Sequence, residues 1–546
     1  MQSAPNTLDI KVTALDYCCQ LSNALVTGNP SCCKMSTHKT GVRLVPSTQP
    51  KLSPIAAFDL IETTIADIHT AYKAGSLTVR QLVQMYLDRI ALYDKKGPAI
   101  NAIISLNPAA LEDADRLDAQ FKSTGFIGPL HGIPVIIKDQ ADVKGMPTTL
   151  GSVLFENYRP EQDCFVVSKL KKAGAIFLAK STLGELGGGD THGSLFGSTR
   201  NVYDLERTAG GSSGGSGASV SANFCAVAIG QEGFASIRRP SAWNGVAGMR
   251  PTMGLVSRTG VYGGWPTTNG SLGPMARTVT DLAKLLDAMV GYDSKDPVTS
   301  HGIGSIAESY SAALDRRALK GTRLGILRES IGFAAEPDSE DFKKVSEVFD
   351  RAVSDLRKAG AEIIDPLVIP DIATLLAKRA RSVQDDDAMF EQYVKGGKAP
   401  FATRAAAMAS PLFQQVVNSA RRRWSAPSSA TQELDYLRAR DTLMINMLRV
   451  MGDHGLDAIV HKAVEHQPTL IRDGVNSPHV DQKGAPHINT FLKFVPSIVV
   501  PAGFTSDNLP VGITFLGRPY ADARMIQLAF AYEQTTQHRR APPTTP

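Results

Sequence analysis

Gly210-Gly211-Ser212-Ser213-Gly214-Gly215-Ser216-Gly217 is a glycine–serine run with the composition of a flexible linker. Its surroundings argue against a linker. Ala218-Ser219-Val220 and Ala226-Val227-Ala228-Ile229 follow it, so the run is embedded in small and apolar, core-like sequence. Glycines in that setting indicate a backbone that takes unusual dihedrals or approaches another group closely. A second serine, Ser236, follows in Gly233-Phe234-Ala235-Ser236-Ile237-Arg238, and upstream Lys138 ends the apolar run Pro134-Val135-Ile136-Ile137. Two loop serines and a strand-ending lysine suggest a hydrolase that uses no histidine.

Around these segments the chain alternates between strand-like and helix-like stretches. Regular structure begins near Phe58, where Ile61, Ile65, Ile68 and Tyr72 fall on one helical face. Thr78 with Gln81 has capping-box spacing, and Leu82, Met85, Tyr86, Ile90 and Tyr93 form the stripe of the next helix. Short apolar runs are expected as strands at 133–137, 175–179, 226–229, 323–327, 456–460, 497–500 and 511–516. Helices are expected near 165–173, 214–222 and 522–535. Continuous apolar strands between amphipathic helices predict an α/β fold: one large domain with a mixed, mostly parallel twisted sheet sandwiched between helices. The domain is read as residues 58–538, after an N-terminal extension (1–57, partly disordered) and before a disordered tail (539–546). Residues 370–453 read as a helical stretch rich in Ala, Arg and Asp, either a cap over the site or helices lying on the sheet.

Bulk properties exclude several classes. The net charge is 58 − 53 = +5 over 546 residues, and the clusters Lys169-Leu170-Lys171-Lys172 and Arg421-Arg422-Arg423 lack interleaved aromatics, so nucleic acid is not an expected partner. No run approaches the roughly 18 apolar residues of a membrane span, and a basic start followed by an apolar core is missing from the N-terminus. The six cysteines, Cys18-Cys19, Cys32-Cys33, Cys164 and Cys225, do not have zinc-ligand spacing. His461 and His466 lie five apart, a poor spacing for one helix face, so no metal is expected. The reading is a cytoplasmic protein in a reducing compartment, with a homodimer left open.

The residues alone leave alternatives. A lysine closing a buried strand is costly unless it is paired or neutral, and Lys138 could be a structural partner of Asp139. A neutral lysine could instead act as a general base. Gly-x-Ser-x-Gly occurs at Gly210–Gly214 and Gly211–Gly215, but a nucleophile elbow needs a strand directly before the serine, and 203–209 has no strand pattern. No Gly-Lys-Ser/Thr closes the run, which removes a phosphate loop.

Taken together, the motifs resemble the amidase signature family. The residues that carry the resemblance are Gly128-Pro129-Leu130-His131-Gly132-Ile133-Pro134-Val135-Ile136-Ile137-Lys138-Asp139, Arg207–Ser216, Ser236–Ser241, Gly248–Thr252, Gly273–Thr278 and the C-terminal Val499–Phe504 and Leu509–Ile513. The resemblance implies a Ser–cis-Ser–Lys triad without cofactor. Ser236 would be the nucleophile, Ser212 a bridging serine after a cis peptide bond, and Lys138 the base. The backbone N–H groups of Gly233, Phe234, Ala235 and Ser236 would form the oxyanion hole. A small-molecule carboxamide or arylamide, an ester or a carbamate would be the substrate. A role like that of the A-type subunit of a tRNA-dependent amidotransferase and a catalytically degenerate scaffold are the alternatives. The chain departs from the family where Glu232-Gly233-Phe234-Ala235 replaces the usual Asp-x-Gly-Gly, and where Lys180-Ser181-Thr182 replaces Lys-Thr-Asn. It also departs at the bare run Gly187-Gly188-Gly189. Leu186, Gly187 and Gly188 are expected to line a widened substrate site.

Overall fold

The computed structural model describes residues 58–267, 269–395, 399–476 and 480–546. The N-terminal extension and four of the cysteines lie outside them. In chain order the strands are β1 (Ile103–Leu106), β2 (Pro134–Lys138), β3 (Ile176–Ser181), β4 (His192–Gly193), β5 (Gly197–Ser198), β6 (Val227–Glu232) and β7 (Ala247–Arg250). They continue with β8 (Ser271–Ala276), β9 (Arg323–Leu327), β10 (Glu362–Leu367), β11 (Ala458–Lys462), β12 (Ser497–Phe504) and β13 (Pro510–Leu516).

All but β4 and β5 join one mixed sheet of order β1-β3-β2-β6-β8-β7-β12-β13-β11-β9-β10. Parallel pairing holds on its two flanks, β3-β2-β6 and β11-β9-β10. The centre, β6-β8-β7-β12-β13-β11, and the edge pair β1-β3 are antiparallel. Strands β2, β6, β8 and β13 are buried along their whole length, as a sheet covered on both faces requires.

Helices flank the sheet for reasons visible in their sequences. The helix Val79–Tyr93 starts at Thr78, whose side chain accepts from the Gln81 N–H while Gln81 accepts from the Thr78 N–H. Leu82, Tyr86 and Ile90 on its inner face are buried. The helix Glu340–Lys358 is capped by Ser339 and buries Val345, Val348, Phe349, Ala352, Val353 and Leu356. Among the described residues no helix is long and apolar enough to cross a membrane.

One expectation changes. Residues 539–546 are docked rather than disordered. Arg539 pairs with Glu62 at 2.6 Å, Thr544 Oγ1 donates to the Val202 carbonyl at 2.5 Å, and Arg89 donates to the carbonyls of Thr545 and Pro546. Prolines and threonines suggested a free tail, but a single buried arginine supplies the donors that hold its end. The 370–453 stretch, for which a cap over the site or helices on the sheet were both left open, divides between two apolar clusters. The helix Ala430–Asp453 packs with β9, β10 and β11 side chains in one apolar cluster. Phe390, Phe413 and Trp424 instead form a second cluster with Leu186 and Tyr262, beside the glycine loops.

Candidate active site

The parallel strands β2 and β6 lie side by side, with Ile137 opposite Ile229, and so deliver their C-terminal ends to one place. β2 ends in Lys138 and β6 ends in Glu232, four residues before Ser236. Lys138 is fully buried. Its Nζ lies 2.6 Å from Ser212 Oγ and 3.4 Å from the Gln231 carbonyl. The structural partner considered for it, Asp139, is occupied by Lys180 in a buried ion pair at 2.7 Å. Burial holds the Lys138 amine well below its ordinary pKa of 10.5; the Glu232 charge opposes this, while Arg239 and Arg423 add to it.

Ser212 follows a cis Gly211–Ser212 peptide bond and precedes the helix Gly214–Ser221. Its Oγ lies 2.8 Å from Ser236 Oγ and 3.0 Å from the Gly187 carbonyl. The glycines of this loop serve close packing. A Cβ on Gly211 would stand 2.4 Å from the Gly189 carbonyl, and one on Gly214 would stand 2.3 Å from Thr191 Oγ1. The Ser213 N–H donates to the Ser236 carbonyl at 3.1 Å, which fastens the two serine loops together. Arg239 reinforces that seam. It donates to the Gly211 and Gly189 carbonyls and pairs with buried Asp190 at 3.0 Å.

Glu232, Gly233, Phe234 and Ala235 differ from the family pattern, and the structure gives the physical account. None of residues 233–236 has positive φ, so Phe and Ala fit without strain. Buried Glu232 closes the loop. Its Oε2 accepts from the N–H groups of Ile237 and Arg238, both at 2.9 Å; its Oε1 accepts from Arg238 Nε at 2.7 Å and Asn489 Nδ2 at 3.1 Å. Burial acts to raise the Glu232 pKa, but Arg238 and Arg250 outweigh it and hold the carboxyl below its ordinary value. Arg238 Nη2 donates to the Phe234 carbonyl at 2.9 Å. In a planar trans peptide C=O and N–H point opposite ways, so that contact aims the Ala235 N–H away from Arg238. The N–H groups of Phe234, Ala235 and Ser236 have no acceptor among the described residues. Half-buried Ser236 therefore sits beside free backbone donors.

The run Gly187-Gly188-Gly189 does not leave open space as expected. Leu186 is buried in the aromatic cluster, and the Gly187 carbonyl faces Ser212. A Cβ on Gly188 would stand 2.7 Å from Arg423 Cζ, so the guanidinium fills the room the missing side chain leaves. Arg423 Nη2 donates to the Glu185 carbonyl at 2.7 Å. Asp481 accepts from the Asp190 N–H at 2.6 Å beside Gly189. Sequence reading missed Arg238, Arg239, Asp190, Arg423 and Asp481. Only the first two carried a usable signal, a pair of arginines two and three residues after Ser236.

The remaining histidines take other roles. His461 is buried with its Nδ1 on the Lys462 carbonyl, and His466 pairs with Asp341. Among the described residues no group of His, Cys, Asp and Glu could hold a metal ion.

The profile of the family described as Amidase matches residues 81–526. The chain belongs to the amidase signature family. Curated relatives include a probable amidase of Arabidopsis thaliana, 31% identical over 89% of this chain and 92% of that protein. The A-type subunit of the Methanosarcina barkeri glutamyl-tRNA(Gln) amidotransferase is also 31% identical, over 88% of this chain and 98% of its own length. Among solved structures, the peptide amidase of Stenotrophomonas maltophilia superposes with a TM-score of 0.79 at 33% identity, covering 89% of this chain and 99% of that one. The A-type subunit of the Thermotoga maritima glutamyl-tRNA(Gln) amidotransferase gives 0.67 at 27% identity, covering 89% and 97%. As a member of this family, the chain carries an amidase fold for chemistry at C–N bonds.

Proposed function

We propose that this amidase cleaves a small-molecule carboxamide through an acyl-enzyme on Ser236. The observation that carries this is the unbroken line from Lys138 Nζ to Ser212 Oγ at 2.6 Å and on to Ser236 Oγ at 2.8 Å, with the lysine out of water. Burial keeps the amine a free base at a pH where an exposed lysine is charged. As Ser236 Oγ attacks the amide carbon, its proton passes to Ser212 Oγ, and the Ser212 proton passes to Lys138. The carbonyl electron pair moves onto oxygen, which the free N–H groups of 234–236 would receive. Collapse of the adduct breaks the C–N bond, and Ser212 returns a proton to the leaving nitrogen while Lys138 replaces it. Water then attacks the ester, and the same relay runs in reverse to release the acid.

A second reading is favoured by the amidotransferase relatives, which match nearly their whole length. Here the same cleavage would hand ammonia to a partner protein. The two separate on a cell extract: a lone chain that hydrolyses amides in solution supports the amidase, and co-purifying partner chains that stimulate ammonia release support the amidotransferase role.

A fluorophosphonate probe tests the nucleophile. Wild type should take one adduct on Ser236, Ser236→Ala none, and Lys138→Ala should lose hydrolysis of primary, anilide and carbamate substrates. An adduct elsewhere, or full activity of folded Lys138→Ala at neutral pH, would remove the relay.

A further inference from the structure

The oxyanion loop of this chain lacks the family's glycine at 234 and carries Phe234 there instead, and the phenyl ring is held from two sides. The Arg379 guanidinium stands 4.3 Å from the ring centroid, and the His487 ring meets it edge-on at 5.9 Å. Arg379 comes from the segment just after the helix Ile372–Leu376, within the 370–453 helical stretch. Among the described residues no carboxylate is one of the groups that act on its charge; Tyr436 is. His487 is kept neutral, because burial and the Arg379 charge hold its pKa down at about 4, so it presents an uncharged aromatic edge. Phe333 and Phe491 pack against the other sides of His487.

Resting on the amidohydrolase reading, we propose that Arg379 is a positioning residue that sets the oxyanion donors by stacking on Phe234. Two torsions decide where the 234 and 235 N–H groups point. Arg238 fixes the peptide plane after Phe234 by gripping its carbonyl at 2.9 Å. Nothing among the described residues grips the Phe234 N–H itself, so where its nitrogen stands relative to the pinned carbonyl depends on ψ at Phe234. Holding the ring restrains the Cα–Cβ direction, and with the carbonyl already pinned that fixes ψ and so the place of the Phe234 nitrogen. A glycine at this position would have no side chain to hold. The substitution to Phe therefore supplies a handle, and Arg379 closes on it from solvent, where a guanidinium favours the face of an aromatic ring. Arg379 does not touch the reacting atoms, so its loss should slow the chemical step without weakening binding.

The test uses the full-length chain and a fluorophosphonate probe, whose phosphoryl oxygen needs the same donors. Arg379→Ala should lower the maximal rate of Ser236 labelling about five- to tenfold, less than the roughly hundredfold or more lost with a whole donor. The half-saturating probe concentration should stay within about twofold of wild type. Arg379→Lys, which keeps a cation over the ring, should recover most of the rate. Phe234→Leu should match Arg379→Ala, and the double variant should be no slower than either single one. Wild-type labelling by Arg379→Ala overturns the proposal. So does a loss that falls on half-saturation, or single effects that multiply in the double variant. Should Arg379→Ala fail to fold, Arg379→Gln against Arg379→Lys decides on the same criteria. A wild-type chain that takes no label removes the amidohydrolase reading itself, and is distinguishable from all of these.

Discussion

Replacing Lys138 by Met should make the protein more stable at neutral pH while removing its activity, and the size of the effect follows from where the amine sits. Lys138 is fully buried, with one hydroxyl and one carbonyl near its Nζ and no carboxylate in ion-pair distance among the described residues. In the unfolded chain its ordinary pKa is 10.5, and in the fold burial holds it well below that. Between the folded and unfolded values the unfolded state binds one more proton than the native state, so stability rises with pH by about 1.4 kcal/mol per unit and is lost as pH falls. Over the range in which the amine is neutral in the fold but charged in the unfolded chain, Lys138 thus costs the fold free energy that grows with every pH unit below 10.5. Methionine, of similar length and apolar, has no such proton linkage. The gap between Lys138→Met and wild type should therefore be widest at the acid end of the window and shrink by about 1.4 kcal/mol per pH unit toward 10.5. Urea unfolding followed by tryptophan fluorescence at several pH values between neutral and about 9.5 measures it. A gap that stays flat across this range would refute the reasoning, because the amine would then be as protonated in the fold as outside it.

Glu232→Gln breaks a buried pair with Arg238 and offers an N–H₂ to groups that themselves donate, so a loss of about 3–5 kcal/mol is expected; thermal unfolding and Ser236 labelling should both fall. Gly188→Ala and Gly211→Ala should differ although both positions are tight. At Gly188 the added Cβ meets the flexible end of Arg423 at 2.7 Å, so melting should shift by no more than about 3 °C while KM changes. At Gly211 it meets the Gly189 backbone carbonyl at 2.4 Å, so folding itself should suffer, as soluble yield and melting temperature would show. Arg423→Gln removes a positive charge that helps to lower the Lys138 pKa, so the acid limb of kcat/KM should move to higher pH; a limb that stays put or moves down refutes that assignment.

Much of the sheet was legible because its strands are short apolar runs ended by turn residues. The expected 323–327 strand is β9 residue for residue, and the helix expected at 522–535 runs Asp522–Thr536. The strands that escaped notice have a physical reason to. β7 (Ala247–Arg250) and β8 (Ser271–Ala276) carry Gly, Pro and Arg, residues that read as turn or surface. They sit in the sheet because Gly273 faces the Met249 carbonyl, where a Cβ would stand at 1.9 Å, and because Arg250 is buried close to Glu232. Close approach between neighbouring strands is a tertiary fact that local pattern cannot carry. The same holds at the site. Lys138, Ser212 and Ser236 stood out as residue types in unusual settings, and the structure brings these three together. Arg423 reaches the glycine loops from the short helix Asn418–Ser425, which looks like any surface helix in sequence, and Asp481 reaches them from a loop with no pattern of its own.

What surrounds Lys138 explains how a fold holds a lysine's pKa down. Burial alone would be undone by a carboxylate at contact distance, and two acidic side chains lie nearby. Asp139 follows Lys138 in the chain but is drawn off by Lys180 at 2.7 Å. Glu232 lies at the end of the neighbouring strand, yet Arg238, Asn489 and two backbone N–H groups share its oxygens. Each nearby negative charge is thus compensated by a group other than the buried amine. The cations that act on Lys138, Arg239 and Arg423, are those that also hold the glycine loops in place. Positioning of Ser212 and the lowered pKa of Lys138 consequently share residues. A change that loosens the loops by removing one of these arginines also restores charge to the lysine, so the geometry and the basicity of the relay should fail together.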